Sequence, residues 1–259
     1  MLMQFAKWHG TGNDFILVDD RRSEFPAEDL TVVQRLCDRH FGIGSDGLIL
    51  VQPPKQGDAA FHMEFFNPDG SKSFCGNGSR CAYAFWCSIT SDRSRTRFSA
   101  IDGMHEGAWE SDLVSVSLND VHSVEQDDPS TDFIHTGSPH ELVWVDDPQK
   151  VDLMAEGRKR RYDPKRGAGG TNVNFIQSDG TTVRMRTYER GVEAETLSCG
   201  TGVVAAALSA LSRDRAKAPV KVITPGGELN VQADPNGNGW KNIRLIGPAM
   251  EVFKGSIEI

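Results

Sequence analysis

No apolar run in the chain approaches the roughly 18 residues of a membrane-spanning helix, so nothing argues for a membrane protein. Positive charge is in short supply: 28 Lys and Arg face 36 Asp and Glu, a net charge of −8. That balance is poor for gripping a phosphate backbone, and no nucleic-acid partner is expected. The opening residues Met1-Leu2-Met3-Gln4-Phe5-Ala6-Lys7 lack the charged, apolar and small-residue regions of a secretory signal, so a cytoplasmic location is expected. The five cysteines are odd in number and contain no Cys-x-x-Cys pair. They therefore give neither a disulfide framework nor the close-spaced ligand pairs of structural zinc, and no metal is expected. Reduced thiols of this kind are either small core hydrophobes or chemically active groups.

What is present is a globular composition, with 38% hydrophobic and 25% charged residues over 259 positions. That is enough to bury a sizeable core in more than one average domain. Strand-like stretches fall at Gln4 to Trp8 and Phe15 to Asp19, around the turn from His9 to Asp14. From Pro26 to His40, Leu30, Val33, Leu36 and Cys37 recur at helical spacing, with Gly42 placed as a C-terminal cap. Leu48 to Val51 and Phe61 to Phe66 read as strands, then Cys75-Gly76-Asn77-Gly78 opens a helix-compatible run to Cys87, and Arg97 to Leu118 is strand-like again. The second half repeats this grammar. Strands are predicted at Phe133 to His135 and Leu142 to Val145, a polar helix from Pro148 to Arg161, and strands at Asn174 to Gln177 and Val183 to Tyr188. Cys199-Gly200-Thr201-Gly202 then opens a second helix, and Val220 to Ile223, Glu228 to Val231 and Asn242 to Ile246 close the chain as strands around a turn at Pro225-Gly226-Gly227. Two Cys-Gly-x-Gly units, each following strands and opening a helix, predict a duplicated domain with a twofold-related site between the halves. The domains expected are residues 1–115 carrying Cys75, completed by a C-terminal strand at 253–259, and residues 116–252 carrying Cys199.

A cysteine at the first turn of a helix meets N–H groups without intrahelical partners and the positive end of the macrodipole. Both favour the thiolate, and the glycines beside it let an anion approach the backbone closely. Two such units suit inversion of a stereocentre with an acidic C–H, where a base removes the proton from one face and an acid returns one from the other. Like charges repel, so a close pair of thiols settles with one protonated and one not. Nothing singles out a Schiff-base lysine, so developing negative charge would fall to backbone N–H donors and polar side chains. Asn13, Asn67, Asn77, Asn172, Glu189 and Arg190 are the polar candidates, and Arg190 suits a carboxylate bidentately.

These residues resemble the diaminopimelate epimerase family. The matching stretches are His9-Gly10-Thr11-Gly12-Asn13-Asp14-Phe15, Phe66-Asn67-Pro68-Asp69-Gly70, Cys75 to Cys81, Gly137-Ser138-Pro139-His140, Thr171-Asn172, Tyr188-Glu189-Arg190-Gly191 and Cys199 to Gly202. The resemblance implies an α/β fold of the α+β type. It consists of two pseudo-symmetric domains, each a curved, mostly antiparallel sheet wrapped around a central helix, with the active site in the interdomain cleft. It implies interconversion of L,L- and meso-diaminopimelate without a cofactor, in lysine and peptidoglycan-precursor synthesis, by a homodimer. It makes Cys75 and Cys199 the acid/base thiols, with His140 and Glu189 assisting. It puts Asn13, Asn67, Asn172, Glu189 and Arg190 on the substrate, and makes Gly76 with Asn77, and Gly200 with Thr201, the backbone clamps. Three positions depart from the family pattern: Ser138 stands for its usual Asn, the stretch from Glu189 to Cys199 is a residue longer, and Gly47 stands where some members carry Gln.

Other readings stay open at this level: a proline- or hydroxyproline-type racemase of the same architecture, or a non-enzymatic thiol redox or ligand-binding protein. A related phenazine-pathway branch generally lacks the thiol pair. Cys37, Cys81 and Cys87 read as core. Gly42 to Gly47 matches a dinucleotide pattern but follows a helix and precedes a strand, the reverse of the required order, and reads as a turn. Asn77-Gly78-Ser79 fits a glycosylation acceptor by chance. Arg158-Lys159-Arg160-Arg161 reads as a solvated helix end rather than a nucleic-acid patch.

Overall fold

A computed structural model describes residues 2–259. The chain divides into two compact units, one running to Val116 and taking back Gly247–Ile259, the other Ser117–Ile246. In chain order the elements are β1 (Leu2–Gly10), β2 (Asn13–Asp19), α1 (Leu30–Cys37), β3 (Leu48–Gln52), β4 (Phe61–Phe66), α2 (Gly76–Thr90), β5 (Thr96–Ala100), β6 (Gly103–Glu110) and β7 (Leu113–Ser117). There follow β8 (Glu125–Asp128), β9 (Thr131–His135), β10 (Pro139–Trp144), α3 (Leu153–Arg161), β11 (Asn172–Ser178), β12 (Thr182–Glu189), β13 (Ala194–Thr196), α4 (Gly200–Ser212), β14 (Val220–Thr224), β15 (Gly227–Asn236), β16 (Gly239–Gly247) and β17 (Met250–Glu258).

The duplication expected from the repeated Cys-Gly-x-Gly is written into the strand pairing. Along β1 to β7, successive neighbours pair antiparallel, parallel, antiparallel, parallel, antiparallel, antiparallel. The series β9, β10, β11, β12, β14, β15, β16 repeats that order of senses. Parallel neighbours need a crossover. Helices α1 and α2 supply it in the first unit, and α3 and α4 in the second. Each series also carries one antiparallel flanking strand, β17 on β1 and β8 on β9. The first unit borrows its flank from the far end of the chain, whereas the second takes the strand just before it.

Helices α2 and α4 are the cores of their units. Helix α2 packs against β1 to β4 and β6, and α4 against β9 to β12, β14 and β15. In α4 every residue from Gly200 to Ala210 is buried. A helix apolar on all sides belongs inside a protein, and a 13-residue helix is marginal alone. Burying Val203, Val204 and Leu208, at about 1.5–3 kcal/mol each, is what holds it. Close approach is made possible by glycine: a Cβ at Gly107 on β6 would sit 2.3 Å from the Tyr83 ring of α2.

Three local expectations need correcting. Helix α1 does not run to His40 with Gly42 as its cap. It ends at Asp38, whose N–H reaches the carbonyls of Gln34 and Arg35, and whose carboxylate accepts from the N–H groups of His40 and Phe41 at 2.7 Å. Gly42 then presses back on the helix, where a Cβ would lie 1.9 Å from the Arg35 carbonyl. The stretch Pro148 to Arg161 is two pieces. Asp147 caps a single turn, Pro148–Lys150, and Asp152 caps α3, because each Asp side chain accepts a following backbone N–H and restarts the helix. The basic end of α3 is not simply solvated: Arg160 pairs with buried Glu141 at 2.7 Å and Arg161 with Glu193 at 3.0 Å. The exposed β8 and the three-residue β13 carry no apolar pattern and escape the sequence reading.

The close approach at β6 makes a stability prediction. Gly107→Ala must displace the Tyr83 ring, whose hydroxyl donates to the Ser94 carbonyl at 2.9 Å. It should cost about 1–3 kcal/mol in urea unfolding. Gly169→Ala, whose nearest neighbour would be the end of Arg190 at 3.8 Å, should change stability by less than about 0.5 kcal/mol.

Candidate functional site

Each Cys-Gly-x-Gly cysteine is a helix N-cap in extended backbone conformation, Cys75 before α2 and Cys199 before α4. The first intrahelical bonds run from Ser79 N–H to the Cys75 carbonyl and from Val203 N–H to the Cys199 carbonyl, both 2.8 Å. The N–H groups of Gly76 and Asn77, and of Gly200 and Thr201, precede those bonds and have no intrahelical acceptor. The second glycine of each motif has a steric reason. A Cβ at Gly78 would meet Ile49 at 3.1 Å, and one at Gly202 would meet the Asn174 side-chain oxygen at 2.7 Å. At Gly202 a side chain would force the sheet-borne Asn174 to move, and at Gly78 it would press on Ile49.

In the first unit, the β1–β2 hairpin turns through Thr11 and Gly12, both at positive φ, 52° and 83°. This two-residue turn type matches strand twist, but a β-branched residue in the left-handed region is strained. The turn delivers Asn13. Its amide nitrogen donates to Asp46 at 2.8 Å, which fixes the amide and aims its oxygen at α2. That oxygen accepts from Asn77 at 3.2 Å and lies 3.8 Å from Cys75 Sγ, within reach of the S–H. Cys75 Sγ in turn accepts the Gly78 N–H at 3.3 Å. Asp14 and Asp46 share Arg39, at 2.7 Å to each. Burial and the Asp14 charge push the Asp46 carboxyl up. Burial works against Asp14 too, but Arg39 and Lys7 hold it below the usual carboxylate range. Asn67 stands apart from this cluster: its amide nitrogen donates to Ser71 and Ser73 and shapes the loop leading to Cys75.

Behind Cys75 lies Arg80, fully buried in α2. It donates to the Gly76 carbonyl at 3.3 Å and the Pro248 carbonyl at 3.5 Å, and its Nη2 has no hydrogen-bond partner. Desolvation lowers its pKa to about 10, against the attraction of nearby Cys81 and Cys75. Arg80 is the one charged residue in the run Gly76–Thr90, and that isolation is its signal in the sequence.

In the second unit, His140 is fully buried, with Nε2 2.9 Å from the Thr201 hydroxyl and Nδ1 3.2 Å from the Asn174 amide nitrogen. The Thr201 hydroxyl is 3.6 Å from Cys199 Sγ. Burial, with His135 and Arg190 adding to it, pushes the His140 pKa down to about 3. Asn172 is committed to the scaffold: its amide donates to Ser138 at 2.7 Å and the Pro139 carbonyl at 2.9 Å, and its oxygen accepts the Arg190 N–H at 2.9 Å. Ser138 is thus linked through Asn172, at the start of β11, to the backbone of Arg190 just past the end of β12. Glu189 accepts from the Thr196 hydroxyl at 2.6 Å. The Arg190 side chain is exposed, with no ion pair among the described residues. After Arg190 the chain forms the β12–β13 hairpin, turning between Glu189 and Ala194 with Gly191 and Glu193 at positive φ. The residue missed in this unit is Asn174; a buried Asn inside a strand runs against strand preference and was the signal to follow.

Cys37, Cys81 and Cys87 are buried, and burial pushes all three up, Cys81 to about 12. Among the described residues no group of three or more His, Cys, Asp or Glu could hold a metal ion.

The sequence model described as diaminopimelate epimerase matches residues 5–119 and 133–250. A diaminopimelate epimerase of Flavobacterium psychrophilum is 41% identical over 98% of this chain and 100% of its own length. One of Aquifex aeolicus is 38% identical over 98% of both. The chain also resembles solved structures at low identity. These include a hydroxyproline epimerase from Agrobacterium vitis (TM-score 0.75, 16% identity, 99% of this chain and 91% of that one) and a PhzF-family phenazine biosynthesis protein from Bacillus anthracis (TM-score 0.75, 12% identity, 100% of both). That likeness concerns the fold alone.

The neutral state of His140 has a measurable consequence. Between pH 6.5 and about 3 the unfolded chain binds a proton at this residue and the folded chain does not, so its contribution to stability falls as pH drops through that window. In unfolding titrations between pH 4 and 6, His140→Gln should reduce the dependence of stability on pH by about 1.4 kcal/mol per pH unit.

Proposed function

The chain belongs to the diaminopimelate epimerase family, and on that premise we propose that it interconverts L,L- and meso-diaminopimelate without a cofactor. The observation that carries this reading is the equivalence of Cys75 and Cys199, N-caps of the core helices at matching places in two topologically identical units. One thiolate takes the α-proton and becomes a thiol. The other thiol gives its proton to the opposite face of the same carbon and becomes a thiolate. The reverse reaction exchanges the roles, and no net proton is consumed.

The α-hydrogen of an amino acid is weakly acidic, so the carbanion-like state must be stabilised where charge develops. The N–H groups of Gly76 with Asn77, and of Gly200 with Thr201, are suited to hold the carboxylate of the reacting centre at the positive ends of the two helices. Arg190, exposed and without an ion pair, suits a carboxylate of the zwitterion, and a distal charged end favours diaminopimelate over proline-type substrates. Asn13 is proposed as a direct substrate contact through its fixed amide. Asn67 and Glu189 are proposed as contacts at the rim. Asn172 acts by holding the Arg190 backbone. A cytoplasmic location and a homodimer accompany this reading as family expectations. No helix among the described residues is long and apolar enough to cross a membrane.

The direct test is incubation of the reduced protein with L,L-diaminopimelate in D2O, with mass and stereochemical analysis of the product. Meso product carrying α-deuterium is expected. Cys75→Ala and Cys199→Ala should each lower inversion by at least about 100-fold in a folded protein, and full activity in either would overturn the two-thiol reading. Arg190→Met should raise KM by about 10-fold or more, the size of a lost charged hydrogen bond. An unchanged KM would remove Arg190 from the substrate.

A further inference from the structure

The hydrogen bonds around Cys199 have a direction that the heavy-atom positions fix. The Asn174 amide nitrogen lies 3.1 Å from the Glu141 carbonyl, which can only accept, so the donor end of the amide is settled. Its oxygen faces the Thr187 hydroxyl at 3.0 Å, which donates to it. The same amide nitrogen faces His140 Nδ1 at 3.2 Å. A neutral imidazole has one donor and one acceptor nitrogen, so Nδ1 accepts and the ring proton sits on Nε2. That N–H points at the Thr201 hydroxyl oxygen, 2.9 Å away. Having accepted it, the Thr201 hydroxyl turns its own proton outward, and Cys199 Sγ lies 3.6 Å from that oxygen. At the other core helix the cap cysteine, Cys75, accepts the Gly78 N–H at 3.3 Å; at Cys199 the Thr201 hydroxyl stands within donating reach of the sulfur.

We propose that Asn174, His140 and Thr201 form a one-way hydrogen-bond relay that donates to Cys199 and stabilises its thiolate, with Asn174 the positioning residue that sets the imidazole tautomer. Asn174 touches no reacting atom and acts through His140 and Thr201. His140 works as a neutral donor rather than as a proton acceptor from the sulfur. The charges that bear on it, His135 and Arg190, both oppose its protonation. Gly202 is part of the device, since a Cβ there would strike the Asn174 oxygen at 2.7 Å and His140 at 3.3 Å. The relay rests on the reading of Cys199 as an acid/base thiol for its purpose, but its existence is measurable without substrate.

The experiment is a pH titration of thiolate absorbance near 240 nm in the full chain carrying Cys75→Ser, with Cys199→Ser as the blank. Thr201→Val, which keeps the side-chain shape and the backbone clamp, should raise the Cys199 pKa by about one unit or more, a tenfold loss of thiolate at a fixed lower pH. Thr201→Ser should titrate like the parent. Asn174→Leu should shift the pKa the same way, and should add nothing once Thr201 is Val. The relay is overturned if Thr201→Val leaves the titration unchanged, or if Asn174→Leu shifts it equally with and without the hydroxyl. Should Asn174→Leu not fold, the Val and Ser pair at Thr201 still decides whether the hydroxyl donates. Activity is read separately, with Cys75 restored. The expected titrations in a protein that fails to invert diaminopimelate would support the relay and overturn the substrate reading. Unchanged titrations with full turnover would do the reverse.

Discussion

The N-terminus of a helix carries N–H groups that its own backbone cannot satisfy, and in each unit of this protein that end is buried against a sheet. Water is scarce there, so the unsatisfied donors and the aligned peptide dipoles act in a medium that screens them weakly. A cysteine at the cap position meets those donors directly, which favours its thiolate, and this is the physical basis of the acid/base role proposed for Cys75 and Cys199. The close approaches at Gly78 and Gly202 and the burial of α4 along most of its length hold those helix ends against the sheet.

The same scaffold is furnished differently in its two copies. Around Cys75 the polar neighbours are an amide oxygen held by Asp46, the Gly78 N–H and a buried guanidinium behind the helix. Around Cys199 they are a hydroxyl, an imidazole and a second amide in series. The proposed two-thiol inversion requires one sulfur charged and the other protonated. Two sulfurs in identical surroundings would share that charge without preference, whereas different surroundings give each its own proton affinity.

Much of this was legible beforehand because it depends on residues close in sequence. Cys-Gly-x-Gly before an apolar, alanine-rich run announces a capped core helix twice over, and the alternation of strands and helices announces a duplicated fold. The errors were local and had local causes: Asp38 ended α1 early by accepting two backbone N–H groups, and Asp147 and Asp152 each began a helix where one was expected. Asn172 joins Ser138, the Pro139 carbonyl and the Arg190 N–H, pairings that no stretch of the sequence announces. Type and position identify an Asn as useful without saying which neighbour it will satisfy.

The sequence by itself determined which residues cap the two core helices, because helix capping and glycine's freedom from a Cβ are properties of a few consecutive positions. Tertiary structure alone decided how those groups are wired. Asn174 meets His140, and His140 meets Thr201, because β10 and β11 lie side by side in parallel register and α4 packs across them. Those pairings join residues dozens of positions apart. The direction of a hydrogen bond depends on what lies on the far side of each partner, and only the folded chain supplies that.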